Sequence, residues 1–291
     1  MATTTWTVEI HDAVGADRET LQTTSVRSCP EYSSAKTFLQ SHPPVGLSSV
    51  DNNVTEDILE KLKSVTEQLV VTLLDQWKTE EDGMLSVLWW SVDNASKPCG
   101  QDYCIAVHIC LMPQPKCLSS TVLIYGEGRG NARCKHTQWI ADRAPIENFV
   151  AQLVEDRGLP IHEVVLSEPG PGGDRLLLEG LITNFFVVKE GTLFTAGEGV
   201  LEGSTRELVL KACKDLSIHV VLEAPKLSER ESWQAAFVTS TVRVVIDVTR
   251  VLCGENIDDD KCLCETRIPS DTTGFTKRIR DQIFAQRMYL Q

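Results

Sequence analysis

One carboxylate, Glu179, stands at the head of an apolar run that passes through Leu181 and Ile182 to Phe185, Phe186, Val187 and Val188. A carboxylate in such surroundings costs free energy unless a cationic group meets it. Further on, Gly203, Ser204 and Thr205 step into what reads as a helix. The first turn of a helix leaves backbone N–H groups without intrahelical partners, so a Gly-Ser-Thr step can hold an anion. The segment offers a place for a positive ring nitrogen and a place for a phosphate. Pyridoxal phosphate carries both, and the pairing points to it.

The 291 residues suffice for one large domain or two ordinary ones with a sizeable core. A net charge of −13 argues against nonspecific nucleic-acid binding and against attraction to anionic membranes. No apolar run approaches the length of a membrane span. The first ten residues show no basic stretch followed by an apolar one, so no secretory signal is expected. A cytoplasmic location is the expectation, with a Ser/Thr-rich plastid peptide as the alternative. Ten cysteines are scattered along the chain, and none forms a Cys-x-x-Cys pair with the companions a zinc site needs. Reduced thiols and no metal are expected.

Around these residues the pattern mixes helices and strands. Apolar residues at three- and four-residue steps from Ile58 to Trp77 predict a helix over 53–77 with Asn53 as its cap. Residues 84–92 and 103–111 read as antiparallel strands, and a strand is possible over 23–27. A further strand, 121–125, leads into the glycine-rich 126–135, which fits neither dinucleotide nor P-loop spacing and reads as a connection between domains. The boundary is placed near residue 122, giving domains 1–122 and 123–291. Beyond it come the start of a helix over 136–146, a strand over 160–166 and a single strand over 175–188. Next are a helix from 204 to 216 capped by Ser204 or Thr205, and a short helix over 227–235 with Ser228 and Glu231 as a capping box. Strands over 236–241 and 242–248 and a final helix over 274–288 complete the chain. Without a regular strand–helix–strand rhythm, the class expected is α+β.

With these residues in place, the C-terminal half resembles the class IV aminotransferases, the fold-type-IV pyridoxal phosphate enzymes. The likeness rests on four segments in the family's order: Lys135 after a strand, Glu179 to Phe185 as Glu-Gly-x-x-x-Asn-Phe, Leu201 to Arg206 as Leu-x-Gly-x-Thr-Arg, and Phe237 to Ser240 as Phe-x-Thr-Ser. It covers about residues 124–290. The run from Cys134 to Trp139 is also similar to a plant-type subgroup. The resemblance implies a smaller N-terminal α/β sandwich on the substrate side and a larger C-terminal domain with a pseudo-barrel-like β core. It implies that Lys135 binds the cofactor aldehyde covalently and shuttles a proton, and that Glu179 faces the pyridine nitrogen. Leu201 would pack on the ring face, while Ser204, Thr205, Ser240 and Thr241 would bind the phosphate. Taken one at a time these residues have plainer readings: a solvated lysine, an edge-strand carboxylate, a helix cap, strand hydroxyls. Their shared order favours the cofactor site. Arg206 reads as structural, anchoring its helix through an ion pair.

The same resemblance implies a homodimer and an exchange of an amino group between an amino acid, of branched-chain or D-amino acid type, and a 2-oxo acid. A lyase of the aminodeoxychorismate type is the alternative within the family. The family's His-x-x-Arg-Leu segment has only His42-Pro43-Pro44-Val45-Gly46-Leu47 as its nearest match, without the arginine. An early substrate-facing tyrosine has no counterpart, with Gln22 near its place. These departures motivate a third alternative, a non-catalytic family member.

Overall fold

The computed structural model describes residues 5–8, 56–76, 83–93, 101–111, 119–135, 138–254, 263–269, 271 and 274–285. It divides into two units, 1–114 and 115–291. The expectations for Gln22, for 23–27, for the segment around His42 and for Asn53 as a cap lie outside the described residues.

In the first unit, β1 (Thr5–Val8), α1 (Glu56–Gln76), β2 (Gly83–Asp93) and β3 (Gln101–Leu111) follow in order. The sheet is antiparallel with order β1-β3-β2, and β2 pairs with β3 along its whole length, from Gly83 opposite Leu111 to Asp93 opposite Gln101. The helix expected from its apolar spacing packs against β3, and Leu73 is buried.

The second unit begins with β4 (Ser119–Glu127), α2 (Gln138–Asp142), α3 (Ala144–Arg157), β5 (Glu163–Pro169), β6 (Arg175–Gly180), β7 (Asn184–Lys189) and β8 (Thr192–Phe194). It continues through α4 (Ser204–Asp215), β9 (Val220–Val221), β10 (Ala235–Ser240), β11 (Val244–Cys253), β12 (Cys264–Arg267) and α5 (Phe275–Ala285). Six of the strands close on themselves in the order β10-β11-β4-β5-β6-β7, with β7 returning to β10. β11, β4 and β5 run parallel to one another and the other barrel pairings are antiparallel, so this is a mixed six-strand barrel.

Alternation along the strands explains how the barrel is filled. Val122, Val165, Leu177, Phe185, Val238 and Val248, one from each strand, belong to a single buried cluster. Residues of opposite parity face helices: Leu123, Val164 and Leu166 meet Leu153 of α3. Phe186, Phe237 and Val245 meet Val209 and Cys213 of α4 and Ile279 of α5.

Three sequence expectations are corrected. Residues 175–188 are two strands, β6 and β7, joined by a turn, and Glu179 lies opposite Asn184. The reason is Gly180, where a Cβ would overlap Thr183 Oγ1 and stand 2.9 Å from the carboxyl carbon of Glu163; only glycine lets the chain fold back so tightly. The cap of α4 is Gly203 in an extended conformation, with no side-chain hydrogen bond from Ser204 or Thr205. The expected helix over 227–235 is a 3-10 segment, Leu227–Ser232, and Ser228 donates its hydroxyl to Asp174 (2.6 Å) instead of capping it. The glycine-rich stretch 126–135 lies inside the second unit.

Candidate functional site

Glu179 is 3 % exposed, and each of its oxygens has a donor. Arg129 Nε donates to Oε1 at 2.7 Å, and the backbone N–H of Leu201 donates to Oε2 at 2.9 Å. Burial raises the carboxyl pKa, while the hydrogen bond from Arg129, the Leu201 N–H and the charges of Arg129 and Lys135 pull it back. The cation that the buried carboxylate required thus comes from the chain itself. Sequence reading missed Arg129, which sits six residues before Lys135 in the run taken for a connection. The signal that could have found it is the same rule that singled out Glu179: an acid in apolar surroundings asks for a partner within the fold as well as from a ligand.

Arg129 also holds the backbone that leads to Lys135, donating to the carbonyls of Ala132 (2.5 Å) and Cys134 (3.3 Å). Its guanidinium lies 5.4 Å from the ring centre of Trp139, a cation–π distance. Trp139 in turn donates its indole N–H to the Leu181 carbonyl at 2.7 Å, in the turn after Glu179. The Lys135 segment is therefore tied at both ends to the Glu179 turn. Lys135 itself is exposed, yet its ammonium pKa is lowered, first by desolvation and then by the charges of Arg129 and Arg143; Glu179 acts in the opposite sense.

On the other side, Asn184 donates to the Leu201 carbonyl at 2.7 Å. Glu179 and Asn184 together grip one residue, Leu201, by its N–H and its carbonyl, which fixes the entry into α4. Gly203 follows so closely that a Cβ there would lie 2.6 Å from Asn184 Oδ1. Beyond it, Ser204 is exposed and Thr205 buried, and both stand in the first turn, where N–H groups have no intrahelical acceptor. Thr239 pairs with Asn184 across β10 and β7, which brings the following residues, half-buried Ser240 and exposed Thr241, to the same end of the barrel. Ser240 Oγ accepts the Arg243 N–H at 3.1 Å, leaving its own proton available. Thr239 Oγ1 is buried without a partner. Arg206 is buried and donates to the Ala196 carbonyl at 3.0 Å, and among the described residues this backbone oxygen, with no ion pair formed, anchors it.

The donor set suits pyridoxal phosphate. It combines a buried, oriented carboxylate, an amine of lowered pKa, a helix first turn approached through a glycine, and hydroxyls with protons to give. Among the described residues no group of His, Cys, Asp and Glu could hold a metal, and no helix is long and apolar enough to cross a membrane.

The barrel and its flanking helices are the fold of the fold-type IV aminotransferases. A branched-chain aminotransferase from Thermoproteus uzoniensis aligns with a TM-score of 0.55 at 18 % identity, over 76 % of this chain and 70 % of that one. An aminotransferase from Brucella abortus, solved bound to the cofactor PLP, aligns with a TM-score of 0.56 at 17 % identity, over 76 % and 74 %. Residues 172–251 match the family model for amino-transferase class IV. A probable branched-chain-amino-acid aminotransferase of Rickettsia felis is 37 % identical over 89 residues, which is 28 % of this chain and 31 % of that protein. Its counterpart in Rickettsia conorii is 35 % identical over 99 residues, 30 % and 34 %. The match thus spans about a third of the length of these curated relatives. Residues 172–251 thus resemble the class IV aminotransferases, the curated relatives found are named branched-chain aminotransferases, and the solved structures share the fold.

Proposed function

We propose that this protein is a pyridoxal phosphate-dependent aminotransferase exchanging an amino group between an amino acid, of branched-chain or D-amino acid type, and a 2-oxo acid. The observation that carries this reading is the pair of bonds converging on Glu179: Arg129 joins it to the Lys135 segment, and Leu201 joins it to the first turn of α4. Pyridoxal phosphate, when bound, supplies a ring that takes up the electron pair released at the substrate α-carbon. Glu179, aimed by the Arg129 hydrogen bond, would hold a proton at the ring nitrogen. Leu201 packs on the ring face. The N–H groups of Ser204 and Thr205 bind the phosphate, with the hydroxyls of Ser240 and Thr241 opposite. Lys135 supplies the amine that receives the cofactor and then carries the proton from the α-carbon, and its lowered pKa enlarges the fraction able to accept that proton. The first unit, residues 1–114, forms the substrate-side domain in this reading, the boundary expected near residue 122 falling within β4 of the barrel, and the active species is a homodimer, checked by light scattering.

The test adds pyridoxal phosphate to the purified protein and follows absorbance at about 410–420 nm, the region of a lysine-bound cofactor. The wild type should turn yellow and the cofactor should be fixed by borohydride; Lys135→Ala should do neither. A wild type that stays colourless sinks the proposal. With a yellow protein, amino-donor assays separate transamination from lyase-type release of pyruvate. Failure of both assays favours the non-catalytic alternative.

A further inference from the structure

Glu163, at the start of β5, is a buried carboxylate that the proposed chemistry does not use; 6 % of the residue is exposed. Its Oε1 accepts the N–H groups of Val164 (3.1 Å) and Leu181 (3.2 Å), and its Oε2 accepts the Thr183 hydroxyl at 3.0 Å. Leu181 and Thr183 belong to the turn between Glu179 and Asn184. The same Oε2 lies 3.6 Å from Arg243 Nη1. Arg243 belongs to the β10–β11 hairpin: its N–H is bonded to Ser240 Oγ, and its Nη2 reaches the His162 carbonyl at 3.4 Å. One carboxylate therefore fastens two pieces of chain that sequence order keeps about 60 residues apart. The first is the turn that sets Glu179 against Asn184, and the second is the hairpin that carries Ser240 and Thr241.

We infer that Glu163 and Arg243 are positioning residues, which hold the Glu179 turn and the Ser240–Thr241 hairpin at a fixed separation matched to the two ends of the cofactor. The inference rests on the functional reading above and adds to it a part not carried by any residue that touches the cofactor. A buried ion pair is weak evidence for stability, since well-packed apolar residues of similar volume often serve as well. What it supplies is a fixed geometry, because the carboxylate is satisfied only when all its donors are in place. The fit around it leaves little slack: Gly180 packs directly on the Glu163 carboxyl.

The experiment compares the full-length wild type with Glu163→Gln, Arg243→Met and Arg243→Lys. Three quantities are read: the unfolding midpoint without cofactor, the affinity for pyridoxal phosphate, and the affinity for pyridoxal, which lacks the phosphate. Glu163→Gln keeps the volume and one acceptor but loses the charge, and Arg243→Met leaves the three hydrogen bonds to Glu163 untouched. Both should weaken pyridoxal phosphate binding by roughly 10- to 100-fold, the scale seen when groups supporting a metal ligand are removed. Pyridoxal binding should change far less in Arg243→Met, because only the phosphate side moves, and Arg243→Lys should recover part of the loss. Variants that melt lower but bind pyridoxal phosphate as the wild type does would show Glu163 and Arg243 to be ordinary structural residues and overturn the inference. Should Glu163→Gln fail to fold, Arg243→Met and Arg243→Lys decide the matter alone. A wild type that binds no pyridoxal phosphate fails the functional reading and takes this inference with it; a binding wild type with indifferent variants fails only the inference.

Discussion

Arg129 and Glu179 form an ion pair with side chains 8 % and 4 % exposed, so neither charge can be relieved by water if the other is lost. Removing one partner of such a pair leaves an uncompensated buried charge and costs about 3–5 kcal/mol. Arg129→Met should therefore lower the denaturant midpoint of the second unit markedly, and the loss should depend on pH. Without Arg129 the Glu179 pKa rises further above its unfolded value. The native state then binds more protons than the unfolded chain, and stability falls as pH rises from about 4.3, the unfolded carboxyl value, towards the folded one. The gap between wild type and Arg129→Met should widen across that window, and Arg129→Met with Glu179→Gln should close most of it. Urea unfolding at several pH values checks this; a gap independent of pH would mean that Glu179 is not the group left unpaired.

Between elements, His162 extends the β4–β5 pairing by two polar contacts, its backbone N–H donating to the Thr121 carbonyl and its Nδ1 accepting the Thr121 N–H, both at 2.9 Å. A protonated imidazole cannot accept that bond, and desolvation, followed by the charges of Arg243 and Arg250, lowers the His162 pKa. The native state thus binds fewer protons than the unfolded chain, so this contribution is present above about pH 6.5 and is lost as pH falls. His162→Asn, which offers an oxygen near the place of Nδ1, should flatten the stability profile below that pH, as followed by thermal melts; an unaltered profile would assign the acid sensitivity elsewhere. Periodicity revealed most of these elements. α1, β2 and β3 formed where the sequence pattern placed them, while the helix expected over 136–146 is α2, ending at Asp142, and a second helix, α3, starts around Pro145. What the sequence hid is long-range. The 175–188 run reads as one strand because its apolar residues are continuous; the turn at Gly180 is required only by Glu163 and Thr183 pressing on it. Likewise Glu179, Leu201 and Asn184 were legible as a motif. Arg129, Glu163 and Arg243 were not, since their roles arise only when the barrel brings their strands together.

At the scale of the whole second unit, the site depends on barrel closure, because the row from Glu179 through Asn184 to Thr239 crosses β6, β7 and β10, and the β7–β10 pairing is the closing one. Phe237 on β10 and Phe186 on β7 are directly opposite, both fully buried, with ring centres 4.8 Å apart and planes 8° from parallel. Their stack covers the seam beneath α4 and α5. Truncating Phe237 to alanine removes both the transfer free energy of the ring and the packing around it, and should cost about 3–5 kcal/mol. Leu222, 54 % exposed, offers a control in the same unit: its truncation should stay within about 0.5 kcal/mol. Because the seam ends at Asn184 and Thr239, loosening it should reach the entry to α4 as well. Phe237→Leu, a milder change that keeps the protein folded, should weaken pyridoxal phosphate binding more than Leu222→Ala does. Equal binding in the two variants would show that the helix entry is held independently of closure, by the grip of Glu179 and Asn184 on Leu201 alone.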